Sequence, residues 1–224
     1  MNTFDHPASP APSFPTVLAF LKAPKEGEVK TRLARAIGTR EALEVYRTLA
    51  GQQLTRIPRL WPVRVLFTPD DAGDVMRAWL GNGRIYEPQG SGDLGARLRR
   101  AFASAFAAGA PRVLAIGGDC PTLRAADLEC ARDGLETVNV VIGPARDGGY
   151  YLIGLDHPRP ELFNGIRWST PDVCAETLRR IHRSGLTCKL LDEKEDVDDL
   201  ASWQRHRTGL GPADRESTSK PILA

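Results

Sequence analysis

The residues with the greatest chemical potential in this chain are carboxylates that follow apolar segments. Asp119 closes the run Val113 to Asp119, which ends in Gly-Gly-Asp-Cys-Pro and shows no polar alternation, the pattern of a strand buried on both faces. In open α/β sheets ligands bind outside the carboxyl ends of the strands. Two glycines before Asp119 and Pro121 after it make a tight exit, suited to offering a carboxylate to a hard, oxygen-liganded cation such as Mg2+. The competing role is a cap for the helix near Ala125. A second acidic run, Glu195 to Asp199, follows the last apolar strand, and extended spacing places Asp196 and Asp198 on one side of it. It reads either as a solvated stretch that caps the next helix or as a set of partners sharing a cation with Asp119.

Three further segments join these carboxylates. Lys22 to Arg32 is a Pro- and Gly-containing loop with Lys22, Lys25, Lys30 and Arg32 that ends in a helix N-terminus, where amides and the helix dipole favour a phosphate. It lacks the Walker spacing, and a solvated basic turn is the alternative. Gly90-Ser-Gly-Asp-Leu-Gly95 formally matches the dinucleotide fingerprint, but Ile85 to Gln89 before it is short and polar, and Asp93 would face a pyrophosphate. Its glycines better serve close approach of a flat base to the backbone. In Gly143 to Leu155, Arg146 and Asp147 occupy a turn whose Gly148 and Gly149 permit positive φ, which is either a plain hairpin turn or part of a site. Asp70 and Asp71 read as helix caps.

The elements that must position these groups alternate. Strands are expected at Val17 to Lys22, Val63 to Thr68, Ile85 to Gln89, Val113 to Asp119, Val138 to Ala145, Gly149 to Leu155 and Thr187 to Asp192. Helices are expected from about Val29, again after Gly38, and at 70–80, 93–108, 125–135, 169–183 (starting at Ser169-Thr170-Pro171-Asp172) and 199–207. The fifth and sixth strands are too close for a parallel crossover, so one is reversed. A single three-layer α/β domain over residues 16–208 follows, between a Pro-rich tail at 1–15 expected to be disordered and a flexible tail at 209–224.

Composition narrows the partners. The 224 residues carry 30 Lys and Arg against 28 Asp and Glu, a net charge of +2 without a basic block, so nucleic acid is not expected. Four cysteines, at 120, 130, 174 and 188, lack metal-ligand spacing and read as reduced thiols, and the histidines are isolated in sequence. Apolar runs are too short to span a bilayer and no signal-peptide layout is visible, so no membrane partner and a cytoplasmic location are expected.

Lys22-Ala-Pro-Lys-Glu-Gly-Glu-Val-Lys-Thr-Arg-Leu-Ala34, GSGDLGARL, GGDCPTL, GPARDGGYYLIGL and DVDD, taken in order from about residue 17 to 203, resemble the GT-A-like nucleotide-diphospho-sugar transferase superfamily. The chain is most similar there to a bacterial family of arsenosugar-biosynthesis-type glycosyltransferases, related to molybdenum-cofactor and phospholactate guanylyltransferases. The resemblance implies a Rossmann-like GT-A fold, mostly parallel with one antiparallel strand. By position it implies nucleotide contacts from Lys22, Gly27, Lys30, Arg32, Gln89, Gly90, Gly92 and Gly118, and a Mg2+ or Mn2+ ion on Asp119, Asp196 and Asp198. It also implies acceptor contacts from Asp147, Gly148 and Gly149, with Asp119 and Asp147 as catalytic residues. Where many relatives carry Asp-x-Asp, this chain has Asp119-Cys-Pro, which favours a cation site split between two loops. The expected reaction is metal-dependent transfer of a sugar from a nucleoside diphosphate sugar to a small-molecule acceptor. The alternative is nucleotidyl transfer from a nucleoside triphosphate to a phosphorylated small molecule.

Overall fold

The computed structural model of the chain describes residues 14–209. The strands are β1 (Thr16–Lys22), β2 (Val63–Thr68), β3 (Ile85–Pro88), β4 (Val113–Ile116), β5 (Val140–Pro144), β6 (Tyr150–Leu155) and β7 (Cys188–Leu190). The helices are α1 (Thr31–Ile37), α2 (Thr39–Thr55), α3 (Gly73–Leu80), α4 (Leu94–Ala107), α5 (Ala125–Gly134), α6 (Val173–Arg183) and α7 (Leu200–His206). Among the described residues the strands form one sheet in the order β3-β2-β1-β4-β6-β5-β7. Every neighbouring pair is parallel except those of β6, which runs against both β4 and β5. Residues 145–149 are too few to carry the chain back across the sheet, so a reversed strand is the only pairing open to β6.

The period-two pattern of β1 sorts its side chains between two layers. Val17, Ala19 and Leu21 join Val65, Phe67, Leu114 and Ile116 under α2, α3 and α5. Leu18 joins Leu66, Val113 and Ala115 under α4 and α6, with Leu98, Phe102 and Ile181 filling that side. This is the expected three-layer α/β architecture. The expected terminal tails lie outside the described residues except at their inner ends, where Phe14 already stacks on Trp61 with ring centroids 6.5 Å apart. No helix among the described residues is long and apolar enough to cross a membrane.

Local chemistry sets several boundaries. Gly38, with φ of 94°, ends α1 and starts α2, which breaks the basic loop's helix from the long one behind it. Asp93 caps α4 by accepting from the Ala96 amide at 2.8 Å, which accounts for the carboxylate in the glycine-rich segment. The expectation that Asp70 and Asp71 cap a helix is corrected. α3 starts at Gly73 behind Ala72 without a side-chain cap, and Asp70 Oδ1 instead accepts from the Gly90 amide at 3.0 Å. Asp70 thereby ties the β2 exit to the glycine-rich segment. Strand β4 stops at Ile116, so Gly117 and Gly118 belong to the loop that delivers Asp119.

Two buried side chains secure the acidic run. Lys194, 8% exposed, lies 3.1 Å from Asp127 Oδ2, and that carboxylate also accepts from the Arg124 amide at 2.8 Å at the start of α5. Burial would raise the Asp127 pKa, but the bonds from Arg124 and Lys194 outweigh it and hold the carboxyl below its ordinary value. A lowered folded pKa means stability that is present above the unfolded value of about 3.9 and lost as pH falls through the folded one. Asp127→Asn is therefore expected to cost about 2 kcal/mol in urea unfolding at pH 7, narrowing as pH falls to 3. A gap of equal size at both pH values would assign the loss to shape instead of charge.

Candidate active site

A cleft of about 610 Å³ opens at the carboxyl edge of β1 and β4. Among the expected site residues, Lys22, Lys30, Arg32, Gln89, Gly118, Asp119, Asp147, Asp196 and Asp198 line it. Gly27, Gly90, Gly92, Gly148 and Gly149 do not line it and shape the loops around it instead. Gly148 shows why: its φ is 87°, and a Cβ there would overlap the Pro171 carbonyl, so only glycine lets the Asp147 turn pass the segment that leads into α6.

The floor of the cleft is a charge cluster. Lys30 Nζ lies 2.7 Å from Asp119 Oδ1 and 3.2 Å from Asp198 Oδ1, and its side chain is only 4% exposed. It donates a hydrogen bond to Asp198, while the contact with Asp119 is an ion pair outside hydrogen-bond alignment. Burial would lower the Lys30 pKa, and the charges of Asp119 and Asp198 more than reverse it, so the ammonium is held above its ordinary value. Asp196 stands beside this pair. Burial first, then repulsion from Asp119, raises its carboxyl to about 7, with Lys30 opposing and Asp198 and Asp147 adding.

The backbone accounts for the convergence. The Val197 amide donates to the Asp119 carbonyl at 3.0 Å, stitching the acidic run to the β4 exit. The Val197 side chain is fully buried among Leu33, Ala42, Val45 and Leu49, so its neighbours Asp196 and Asp198 are turned the other way, to the cleft. Asp119 caps nothing, since α5 is capped at Arg124 with Asp127. In the acidic run the capping role belongs to Asp199, which accepts from the Ser202 amide at 2.8 Å. Lys30 itself sits in the left-handed region with φ of 48°, as does Ser169 with φ of 62°. They are the two non-glycine residues with positive φ among those described, and both line the cleft. Such conformations are costly and concentrate at functional sites.

Sequence reasoning passed over other residues that the cleft uses. Tyr46 Oη accepts from the Lys22 amide and donates to the Lys22 carbonyl, each at 2.8 Å, fixing the end of β1. Its phenol is pushed up by burial and by the Asp119 charge. Arg97 projects from the first turn of α4, its Nε donating to the Gly92 carbonyl at 2.9 Å and its Nη1 to Gln89 Oε1 at 3.2 Å. Its place four residues after the Asp93 cap is the one sequence signal that marks it. Gln89, expected near the base, spends its amide nitrogen on the Leu21 and Leu66 carbonyls at 3.1 and 2.9 Å. That side chain holds β1, β2 and Arg97 in place. Asp147 is exposed at the cleft mouth, with Oδ1 accepting from the Gly149 amide at 2.9 Å.

The donor set suits a hard cation. Asp196 Oδ1 is shut off from solvent and accepts no hydrogen bond, an arrangement that costs free energy unless a positive charge meets it. The carboxylate oxygens of Asp119 and Asp198 provide ligands of the type Mg2+ takes. Among the described residues no three acidic, His or Cys side chains yet converge as a cation cage, and the Lys30 ammonium stands between two of the three carboxylates.

A mostly parallel sheet with one reversed strand, a basic first loop and a carboxylate cluster at the carboxyl edge define a nucleotide-diphospho-sugar transferase-type enzyme fold. The chain belongs to the family described as "Uncharacterized protein conserved in bacteria (DUF2064)", whose model matches residues 52–170. It is 31% identical over 178 residues to 3-phospho-D-glycerate guanylyltransferase of Phenylobacterium zucineum (strain HLK1), covering 71% of this chain and 74% of that protein. The crystal structure of a protein assigned as a nucleotide-diphospho-sugar transferase from Desulfovibrio desulfuricans G20 superposes with a TM-score of 0.83 at 34% identity, over 91% of this chain and 90% of that one. The fold also matches 4-diphosphocytidyl-2C-methyl-D-erythritol synthase from Anaerococcus prevotii DSM 20548, with a TM-score of 0.58 at 13% identity over 90% of this chain and 98% of that one. The superfamily expected from the five motifs is thus the one to which the chain belongs.

Removing the Lys30 charge tests the cluster. Lys30→Met leaves Asp119 and Asp198 facing each other, and because both are more than one third exposed the loss is expected to be about 1–3 kcal/mol. Millimolar Mg2+ should recover more stability in this variant than in the wild type, as read by thermal unfolding. Equal Mg2+ effects on the two proteins would contradict a shared carboxylate cluster.

Proposed function

We propose that this protein is a divalent-cation-dependent transferase that binds a nucleotide-phosphate donor in the cleft and passes one part of it to a small-molecule acceptor. The observation that carries this reading is the pairing of Asp119 and Asp198 with the Lys30 ammonium, with Asp196 lining the same cleft, whose rim bears Lys22, Arg32 and Arg97. Carboxylates gathered at this density serve a cation, and the rim cations serve phosphate oxygens.

Of the two reactions, the guanylyltransferase relative favours nucleotidyl transfer. An oxygen of a phosphorylated acceptor forms a bond to the α-phosphorus, and the bond to the bridging oxygen breaks, releasing pyrophosphate. Asp119, Asp196 and Asp198 hold Mg2+ or Mn2+, which when bound supplies Lewis acidity and a template for the phosphate oxygens. Lys22 and Arg32 meet the charge that collects on the departing phosphates. Lys30 holds the carboxylates together in their present arrangement and has phosphate oxygens as its alternative partners. Asp147, at the mouth, orients the acceptor. Sugar transfer from a nucleoside diphosphate sugar is the second reading, supported by the likeness to the Desulfovibrio protein. There the acceptor hydroxyl oxygen forms a bond to the sugar carbon as that carbon's bond to the diphosphate oxygen breaks, nucleoside diphosphate leaves, and Asp147 accepts the acceptor hydroxyl proton.

The relative makes GTP with 3-phospho-D-glycerate the first pair to assay. Pyrophosphate appearing with a guanylylated product would support the first reading. Nucleoside diphosphate released from a nucleotide sugar would favour the second, and no turnover or thermal stabilisation with any nucleotide would reject both.

Asp119→Asn keeps the side-chain shape and removes the charge. Turnover is expected to fall on the order of 10²-fold or more, with a weaker response to Mg2+ or Mn2+. Relief of carboxylate repulsion alone would make the variant more stable. Because Asp119 is the partner of buried Lys30, a loss of about 1 kcal/mol is expected instead. Wild-type turnover and metal response in a folded variant would remove Asp119 from the reaction.

A further inference from the structure

Gln53 is a polar side chain on α2 with 1% exposure, outside the lining of the cleft. A buried amide must have both of its halves satisfied. Its Nε2 donates to the Gly117 carbonyl at 2.8 Å, and its Oε1 accepts from the Cys120 amide at 3.2 Å. Those two backbone groups bracket Gly118 and Asp119. The same helix closes on the loop from either side of Gln53. A Cβ on Gly118 would come within 3.2 Å of Ala50 Cβ on α2 and 2.6 Å of Leu21 Cδ2 on β1, and Arg56, which caps the C-terminus of α2, donates to the Pro121 and Leu123 carbonyls at 2.5 and 2.9 Å.

We propose that Gln53 is a positioning residue that sets the height and direction of the Asp119 carboxylate by clamping the backbone on both sides of it. This rests on the reading of Asp119 as a cation-holding carboxylate. Asp119 leaves β4 through two glycines, and that segment has little stiffness of its own. The amide is specific in orientation, since its nitrogen must meet a carbonyl and its oxygen an N–H. A hydrophobic side chain of the same length fills the space but holds neither backbone group.

The test compares the wild type with Gln53→Met, Gln53→Glu and Asp119→Asn. Mn2+ binding is followed by electron paramagnetic resonance in the presence of GTP, and kcat and KM are measured well below each Tm. For Gln53→Met the half-saturating Mn2+ concentration is expected to rise about tenfold and kcat to fall on the order of tenfold or more, while KM for the donor stays within about threefold. Gln53→Glu can still accept from Cys120 but turns an oxygen on the Gly117 carbonyl. Its Mn2+ affinity relative to wild type is expected to recover as pH is lowered and its carboxyl gains a proton to donate. A purely structural role would lower Tm without moving Mn2+ affinity or showing this recovery. If Asp119→Asn loses Mn2+ response and Gln53→Met matches the wild type, the proposal is overturned. If Asp119→Asn itself matches the wild type, the reading of Asp119 fails and takes the proposal with it. Should neither Gln53 variant fold, amide exchange in the wild type decides: the Cys120 amide is expected to be as protected as those of β4, and rapid exchange would overturn the clamp.

Discussion

Like charges do not gather at one edge of a sheet without something to hold them, and here that is the Lys30 ammonium. Asp119 and Asp198 arrive from loops far apart in sequence, and each is within 3.2 Å of the same nitrogen. Asp196 adds a third carboxylate, raised to about 7 by burial and by the neighbouring charge. The arrangement is tense in the electrostatic sense. One buried cation is shared among carboxylates, so the cluster has unmet affinity for positive charge.

The rest of the fold serves that geometry. The parallel order of β1 and β4 brings the basic loop and the Asp119 loop to one edge. The reversed β6 makes β5 and β6 a hairpin, whose turn places Asp147 at the cleft mouth. β7 pairs with β5, and the Ala145–Lys194 bridge continues that pairing, so the acidic run passes beside the hairpin turn. Buried Val197 then turns Asp196 and Asp198 to the site. The left-handed backbone at Lys30 and Ser169 marks where the chain departs from its preferred conformations at the cleft wall.

Much of this was legible in the sequence because it depends on local patterns. The unbroken apolar run before Asp119, the close spacing of the two strands around Asp147 and the extended alternation through Asp196 and Asp198 each report backbone geometry directly. Side-chain partnerships across the fold were not legible. Lys30 reads as a free loop cation, yet its partners lie 89 and 168 residues away, a relation no periodicity encodes. The same holds for the bonds of Gln53 to Gly117 and Cys120 and of Tyr46 to Lys22. Asp70 has the composition of a cap, but the helix starts later and its carboxylate goes to Gly90. Of the two turn glycines expected to permit positive φ, Gly148 adopts it and Gly149 does not, while Gly27, Gly90 and Gly92 have positive φ and lie outside the lining of the cleft.

A cation held by the carboxylates around Lys30, with the donor phosphates in the cleft above them, is the arrangement to test. Anomalous diffraction from crystals grown with Mn2+ and a non-hydrolysable GTP analogue tests it most directly. A Mn2+ peak at coordination distance from Asp119 and from Asp196 or Asp198, with the Lys30 ammonium now on a phosphate oxygen, is the predicted result. Nucleotide and Mn2+ bound elsewhere, with Lys30 still paired to Asp119 and Asp198, would contradict the account.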